Sequence, residues 1–188
     1  MNVAYDQYYQ TENYFGEPYP ELIQFMQDHP EKGKVLDLGC GQGRDAIALA
    51  RLGYVVKGID SSKVGIDQML EISRAEKLKL EGQVGDIYSF DGFNEFDIIL
   101  LDSMFHFAKE DREKEIGFLK KIVANIKKGG ILICCMQDAE DKVKTFKETI
   151  DTEVNPILLV DKAFPYLFED SESGQQFATD YRMMVLKI

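Results

Sequence analysis

The sequence predicts an α/β fold: a doubly wound, mostly parallel seven-stranded sheet that closes with a C-terminal antiparallel hairpin. Three observations predict it. Short apolar runs alternate with stretches of helical period between residues 34 and 150, the pattern of a parallel sheet covered by helices on both faces. The first run, Val35-Leu36-Asp37-Leu38, breaks into glycines at alternate positions, Gly39, Gly41 and Gly43, as a strand does when it turns into a helix beside a ligand. Residues 157–169 and 179–188 then read as two strands separated only by Glu172-Ser173-Gly174-Gln175, and strands joined by a turn pair antiparallel.

The elements follow in order. Residues 1–30 form a cap segment with tyrosines at 5, 8, 9, 14 and 19; the rings either make a flap over a site or cover the sheet edge. A helix is expected over 20–29, stopped by His29-Pro30. Strand one spans about 34–38 and a helix about 44–52, with Ala46, Ile47, Leu49 and Ala50 on one face and Gly53 as its stop. Strand two covers about 54–59. Ser61-Ser62 offers the N-cap of a helix over 62–75. A short strand near 82–85 leads to Gly85-Asp86-Ile87. Phe96-Asp97-Ile98-Ile99-Leu100-Leu101 is apolar enough for burial on both faces. A helix over about 110–127 carries Ile116, Leu119, Ile122, Val123 and Ile126 at helical spacing, with Lys127 and Lys128 at its negative end. Strand five is 131–136, and a further helix covers about 139–150. Residues 31–150 form the core, 151–188 the closing strands, and the whole reads as one domain.

The glycine turn discriminates between ligands. Dinucleotide enzymes use G-x-G-x-x-G, but here Arg44 takes the third glycine position and Gly43 comes one residue early. Asp37 precedes the turn within the strand, so a pyrophosphate would meet negative charge. S-adenosylmethionine (SAM) has no phosphate and carries an amino group that a carboxylate attracts. Val35-Leu36-Asp37-Leu38-Gly39-Cys40-Gly41-Gln42-Gly43 resembles motif I of the class I SAM-dependent methyltransferases, whose Rossmann-like sheet also ends in an antiparallel hairpin.

That resemblance implies site residues. Gly39, Cys40 and Gly41 line the methionine half of the cofactor, and Asp37 and Asp102 its amino group. Asp60, with Ser61 beside it, takes the ribose hydroxyls. Asp86 takes the adenine amine and the Ile87 backbone the ring. Turn or N-cap duty is the structural alternative for Asp60 and Asp86. Asn13-Tyr14-Phe15-Gly16, Gly43-Arg44 and Leu52-Gly53-Tyr54-Val55-Val56 further resemble the tellurite-resistance branch, which implies that Tyr14 and Arg44 reach the methionine end. Arg44 has an alternative too, an ion pair with Asp45. After strand four, Asp102-Ser103-Met104-Phe105-His106-Phe107 falls where the family carries catalytic and acceptor residues. His106 matches a histidine of the small-molecule branches, and histidine is the residue type suited to taking a proton from an acceptor. The alternative is a structural histidine.

Composition limits the partners. Thirty-three acids against 22 bases give a net charge of −11, which repels a phosphate backbone, so no nucleic acid is expected. No run reaches membrane-spanning length, and Met1-Asn2-Val3-Ala4-Tyr5-Asp6 lacks a secretory pattern. Three cysteines, two adjacent, make no disulfide framework, so a reducing, cytoplasmic setting is expected. With two histidines a zinc site is unsupported. Asp102 and Asp138 fall near the magnesium ligands of catechol-type enzymes, but Gln137-Asp138-Ala139 replaces the Asp-Asn those enzymes carry, so no metal is expected. The expected activity is methyl transfer from SAM to a small-molecule acceptor, by a monomer or homodimer. Phe164, Tyr166 and Phe168 line the acceptor pocket or fill core.

Overall fold

A computed structural model describes residues 6, 8–11, 13–169 and 176–188, and excludes the side chains of residues 168, 169, 176 and 177. The predicted turn at 172–175, like Tyr5, lies outside the described residues. Contacts divide the chain into two compact units, the first running to Phe90 and the second made of Asp91–Glu169 and Gln175–Ile188.

In the first unit a 3-10 turn at Tyr8–Gln10 precedes α1 (Pro20–Asp28), β1 (Lys34–Leu38), α2 (Arg44–Arg51), β2 (Val55–Asp60), α3 (Lys63–Glu76) and β3 (Leu80–Val84). Proline opens α1, and Lys32 closes it by donating to the carbonyls of Met26, Gln27 and His29. β1 buries four of its five residues, and α2 buries the predicted Ala46, Ile47, Leu49 and Ala50. Ser62 caps α3 by accepting from the Gly65 amide at 3.1 Å. The three strands are parallel, with Asp37 opposite Gly58 and Gly58 opposite Gly82.

Those glycines explain how α3 lies on the sheet. A Cβ on Gly58 or Gly82 would come within 3.1 or 2.9 Å of the Met69 methyl, and one on Gly43 within 2.3 Å of its Cγ. Met69, fully buried, therefore fills a nest left by three missing side chains.

In the second unit β4 (Ile98–Asp102), α4 (Arg112–Asn125), β5 (Ile131–Gln137) and α5 (Glu140–Asp151) are followed by the long strands β6 (Ile157–Glu169) and β7 (Gln176–Lys187). β4 and β5 are parallel; β7 runs antiparallel to β5 and β6. The seven strands form one mixed, mostly parallel sheet in the order β3-β2-β1-β4-β5-β7-β6. Pro165, which has no amide hydrogen to give, sits on β6, the edge strand. α4 is shorter than predicted at both ends. Its last helical residue is Asn125, and Lys127 beyond it pairs with Asp97 at 2.5 Å rather than lying in the helix.

Gly117 stands inside α4, and a Cβ there would meet nothing within 4 Å. Gly117→Ala should therefore raise stability by about 0.5–1 kcal/mol, because alanine loses less backbone entropy in a helix. Urea unfolding checks this through an increased midpoint at unchanged slope.

Candidate cofactor and acceptor residues

The glycine turn between β1 and α2 holds its shape through backbone geometry that only glycine adopts readily. Gly39, Gly41 and Gly43 all have positive φ, at 75°, 53° and 83°. The amides of Gly39 and Cys40 both donate to the Ile59 carbonyl, at 2.8 and 3.2 Å, which ties the turn to β2. Asp60 completes the tie. One carboxylate oxygen accepts from the Gly41 amide at 3.0 Å and the other from the Ser62 amide at 2.7 Å. Asp60 is only 9% exposed. Burial raises its carboxyl above the usual range; the amides of Ser62, Gly41 and Ser61 oppose the rise, and nearby Asp6 adds to it.

Each remaining predicted position in this unit has a defined place. Asp37 is buried at 3% exposure next to the turn. Cys40 turns its thiol away from the loop, toward Gly58, where an added Cβ would meet its sulfur at 2.7 Å. Burial, with Asp37 and Asp60 close by, pushes that thiol well above its ordinary range, so it stays protonated and is no nucleophile. Arg44 adopts the ion-pair alternative: its fork bonds Asp45 at 2.9 and 3.2 Å, and its guanidinium lies 4.5 Å over the Tyr19 ring. A methionine carboxylate would have to compete with Asp45 for it. Ser61 is exposed. Asp86 is an exposed N-cap whose oxygens accept from the Tyr88 amide at 3.1 Å and the Ser89 hydroxyl at 3.2 Å, and the neighbouring Ile87 is buried.

The tyrosine-rich segment lies on the glycine turn. A Cβ on Gly41 would come within 2.5 Å of the Tyr9 hydroxyl. Tyr14 stacks edge-on to Phe15 at 5.0 Å and lies 5.3 Å from Tyr8. Gln42, which the sequence pattern does not single out, holds the segment. It accepts from the Tyr14 amide at 3.0 Å and donates to the Thr11 carbonyl at 2.8 Å and to Gln68 at 2.7 Å; Gln68 in turn donates to the Tyr9 carbonyl. Ser62 donates to Asp6 at 2.5 Å. Gln42→Ala should speed amide exchange at Tyr14 more than about tenfold, since roughly 1.4 kcal/mol of lost hydrogen bonding is a factor of ten. Exchange measured by NMR checks it.

In the second unit, Asp102 ends β4 and Ser103 follows with φ +54°, its hydroxyl 3.2 Å from Asp102 and 3.3 Å from the Tyr181 hydroxyl. Tyr166 packs edge-on against Tyr181 at 5.0 Å, while Phe164 is buried core. The Phe168 side chain lies outside the described residues. His106 is exposed between Phe105 and Phe107, both buried and stacked on each other at 5.5 Å. Phe107 has φ +49°, a conformation that costs a bulky residue about 1–2 kcal/mol. Asp138 is engaged by Arg182, whose Nε donates to it at 2.8 Å; the same guanidinium bonds Asp161, which also pairs with Lys147. A cation at Asp138 would face that guanidinium. Among the described residues no three acids, histidines or cysteines cluster as metal ligands, and no helix is long and apolar enough to cross a membrane.

A family model described as tellurite resistance protein TehB matches residues 2–155. The chain belongs to this family, within the class I SAM-dependent methyltransferases. It is 33% identical over 122 residues to the cypemycin N-terminal methyltransferase of a Streptomyces species, covering 63% of this chain and 49% of that protein. It is 28% identical over 148 residues to the probable SAM-dependent methyltransferase TehB of Haemophilus influenzae, covering 78% of this chain and 51% of the relative. This TehB homologue thus spans about half the length of the curated relatives it matches. The crystal structure of TehB from Haemophilus influenzae superposes with a TM-score of 0.74 at 21% identity, over 97% of this chain and 65% of that one, which shows the shared fold.

Proposed function

We propose that this TehB-family chain transfers the methyl group of SAM to a small, soft nucleophile, with residues 1–188 working as one methyltransferase domain. The observation that carries the proposal is the pairing of three left-handed glycines with an acid already fixed on their loop. Gly39, Gly41 and Gly43 present backbone without Cβ atoms, and Asp60 is held by the amides of Gly41 and Ser62. This geometry suits a nucleoside without phosphate. Each Asp60 oxygen keeps a second lone pair for a ribose hydroxyl, whereas a pyrophosphate would meet two buried acids, Asp37 and Asp60. Asp86 has spare acceptor capacity for an adenine amine, and the Ile87 backbone amide is assigned as the donor to the adenine ring. Asp37 and Asp102 are assigned to the methionine amino group and Tyr14 to the methionine end. Arg44 is assigned there only if it leaves Asp45.

Bound SAM supplies an electrophilic methyl carbon, which an acceptor lone pair takes as the carbon–sulfur bond breaks and S-adenosylhomocysteine leaves. The chain's part is alignment, which supplies most of the acceleration such a displacement needs. His106 is assigned the proton that a thiol or phenol acceptor loses. The family's tellurite-resistance description and the net charge of −11 support a small acceptor over a nucleic acid. Three buried cysteines, none in a disulfide, fit a reducing compartment, and we place the activity in the cytoplasm.

Calorimetric titration with S-adenosylhomocysteine, with NAD as control, tests the cofactor assignment. Micromolar binding of the first alone is expected; binding of NAD alone would overturn it. Methyl transfer is then assayed on benzenethiol, catechol, an N-terminal peptide amine and tellurite. Binding without transfer to any of them would favour the alternative reading, a SAM-binding regulatory protein.

A further inference from the structure

We propose that Glu115 is a positioning residue for methyl transfer: its buried carboxylate clamps the loop after β4 and fixes the direction of His106. The proposal rests on the reading that this loop serves the acceptor.

Glu115 lies in the first turn of α4 at 4% exposure and is the one buried carboxylate among the described residues of the second unit. It donates nothing and pairs with no cation in the contacts described. Its two oxygens accept from two consecutive backbone amides, Oε1 from His106 at 3.3 Å and Oε2 from Phe107 at 2.5 Å. Successive amides aimed to one side make an anion-binding concavity. Here the anion comes from the protein's own helix. Charge-assisted bonds of this kind are about twice as strong as neutral ones.

The loop needs such a restraint. Ser103 and Phe107 both sit in the left-handed region without being glycine, and strained backbone persists only where its surroundings over-determine it. Phe105 and Phe107 stack on each other with Phe118 of α4 at 6.4 Å from Phe105, so the two rings point inward. His106 between them is exposed. The rings anchor the side chains; Glu115 anchors the backbone between them. Burying a carboxylate is expensive, and a helix start needs none buried. The expense is explained if the loop must hold one conformation to present His106.

The test compares wild type with Glu115→Gln, which keeps one acceptor oxygen but turns an NH2 toward the other amide. Three quantities are read: amide exchange at His106 and Phe107, the dissociation constant of S-adenosylhomocysteine, and kcat and KM with benzenethiol. The variant is expected to exchange those two amides more than about tenfold faster, to bind S-adenosylhomocysteine within about twofold of wild type, and to lose more than about tenfold in kcat/KM, mainly through acceptor KM. Unchanged exchange at both amides would overturn the clamp. Faster exchange with unchanged kcat and KM would overturn the positioning role. Glu115→Asp keeps the charge but shortens the reach; it carries the same three readouts if Glu115→Gln fails to fold. A wild-type protein that binds S-adenosylhomocysteine yet methylates nothing would take the positioning role down with the function it serves, and the exchange result alone would then report whether the clamp is part of the fold.

Discussion

Asp60→Ala is expected to weaken binding of S-adenosylhomocysteine more than about tenfold, the loss of at least ~1.4 kcal/mol. Two losses add. The ribose hydroxyls lose a charged acceptor, and hydrogen bonds to a charged partner are worth about 1.5–3 kcal/mol. The amides of Gly41 and Ser62 lose the oxygens that hold the turn, so the glycine loop must be ordered by the ligand itself. The pH dependence distinguishes this from a general loss of fold. Burial raises the Asp60 carboxyl above its ordinary value of ~3.9. Ribose binding uses the ionised form, so wild-type affinity should begin to fall, as pH is lowered, earlier than an ordinary aspartate would dictate. Stability of the free protein carries the opposite sign. A group whose folded pKa is raised contributes stability fully below its unfolded pKa and loses it as pH rises through the folded value. Wild type should therefore gain stability relative to Asp60→Ala as pH falls through that window while it loses affinity. Titrations at several pH values, beside urea unfolding at the same values, check both signs. Equal affinity of variant and wild type near neutral pH would remove Asp60 from the ribose site.

What the sequence made legible was what has a period or a fixed local chemistry. β1 spans the 34–38 that its apolar run predicts, and Ser62 caps α3 because a serine before a helical run has an amide within reach. The three glycines announced the turn by spacing alone. β3 was harder. Its run, Leu80-Glu81-Gly82-Gln83-Val84, has little apolar character, so the expected strand near 82–85 began two residues late. Gly82 reads locally as a break, and only the sheet shows it as the slot for Met69. α4 was read too long because Lys127-Lys128-Gly129-Gly130 looks like a helix end, while the chain leaves the helix at Ile126 to let Lys127 reach Asp97. Among the site positions, the acids at strand ends were legible, but the partners they choose were not. Asp60 spends one lone pair per oxygen on backbone, and Asp138 is taken by Arg182 from a strand 44 residues away, whereas the pairing of Arg44 with Asp45 is one of the two readings its sequence position offers. Gln42 and Glu115 gave no signal, because a polar side chain that bonds distant backbone leaves no pattern in the residues around it.

Gly65→Ala is the second large effect, and it separates close packing from helix propensity. Gly65 lies in the first turn of α3, and by propensity alone alanine would stabilise the helix by about 0.5–1 kcal/mol. Packing opposes this. A Cβ at position 65 would stand 2.6 Å from the Gly41 carbonyl oxygen and 2.7 Å from its carbon. Both are backbone atoms of the glycine turn, so no side chain can swing aside. Gly41 cannot retreat freely either, because its amide is tied to Asp60 and the Tyr9 hydroxyl lies against its other side. The helix must lift or the turn must deform, and overpacking of this kind costs about 1–3 kcal/mol. The clash is expected to win, so the variant should unfold at lower temperature, by ~2–4 °C for each kcal/mol in a chain of this size. Gly117→Ala, the same substitution in a helix with open space around it, should move the midpoint the other way. The functional consequence is separable from stability. Displacing Gly41 disturbs the acid that it holds, so Gly65→Ala should weaken S-adenosylhomocysteine binding at a temperature where the protein remains folded. Full affinity in a folded Gly65→Ala variant would mean that the turn tolerates the shift, and that the close approach of α3 serves packing alone.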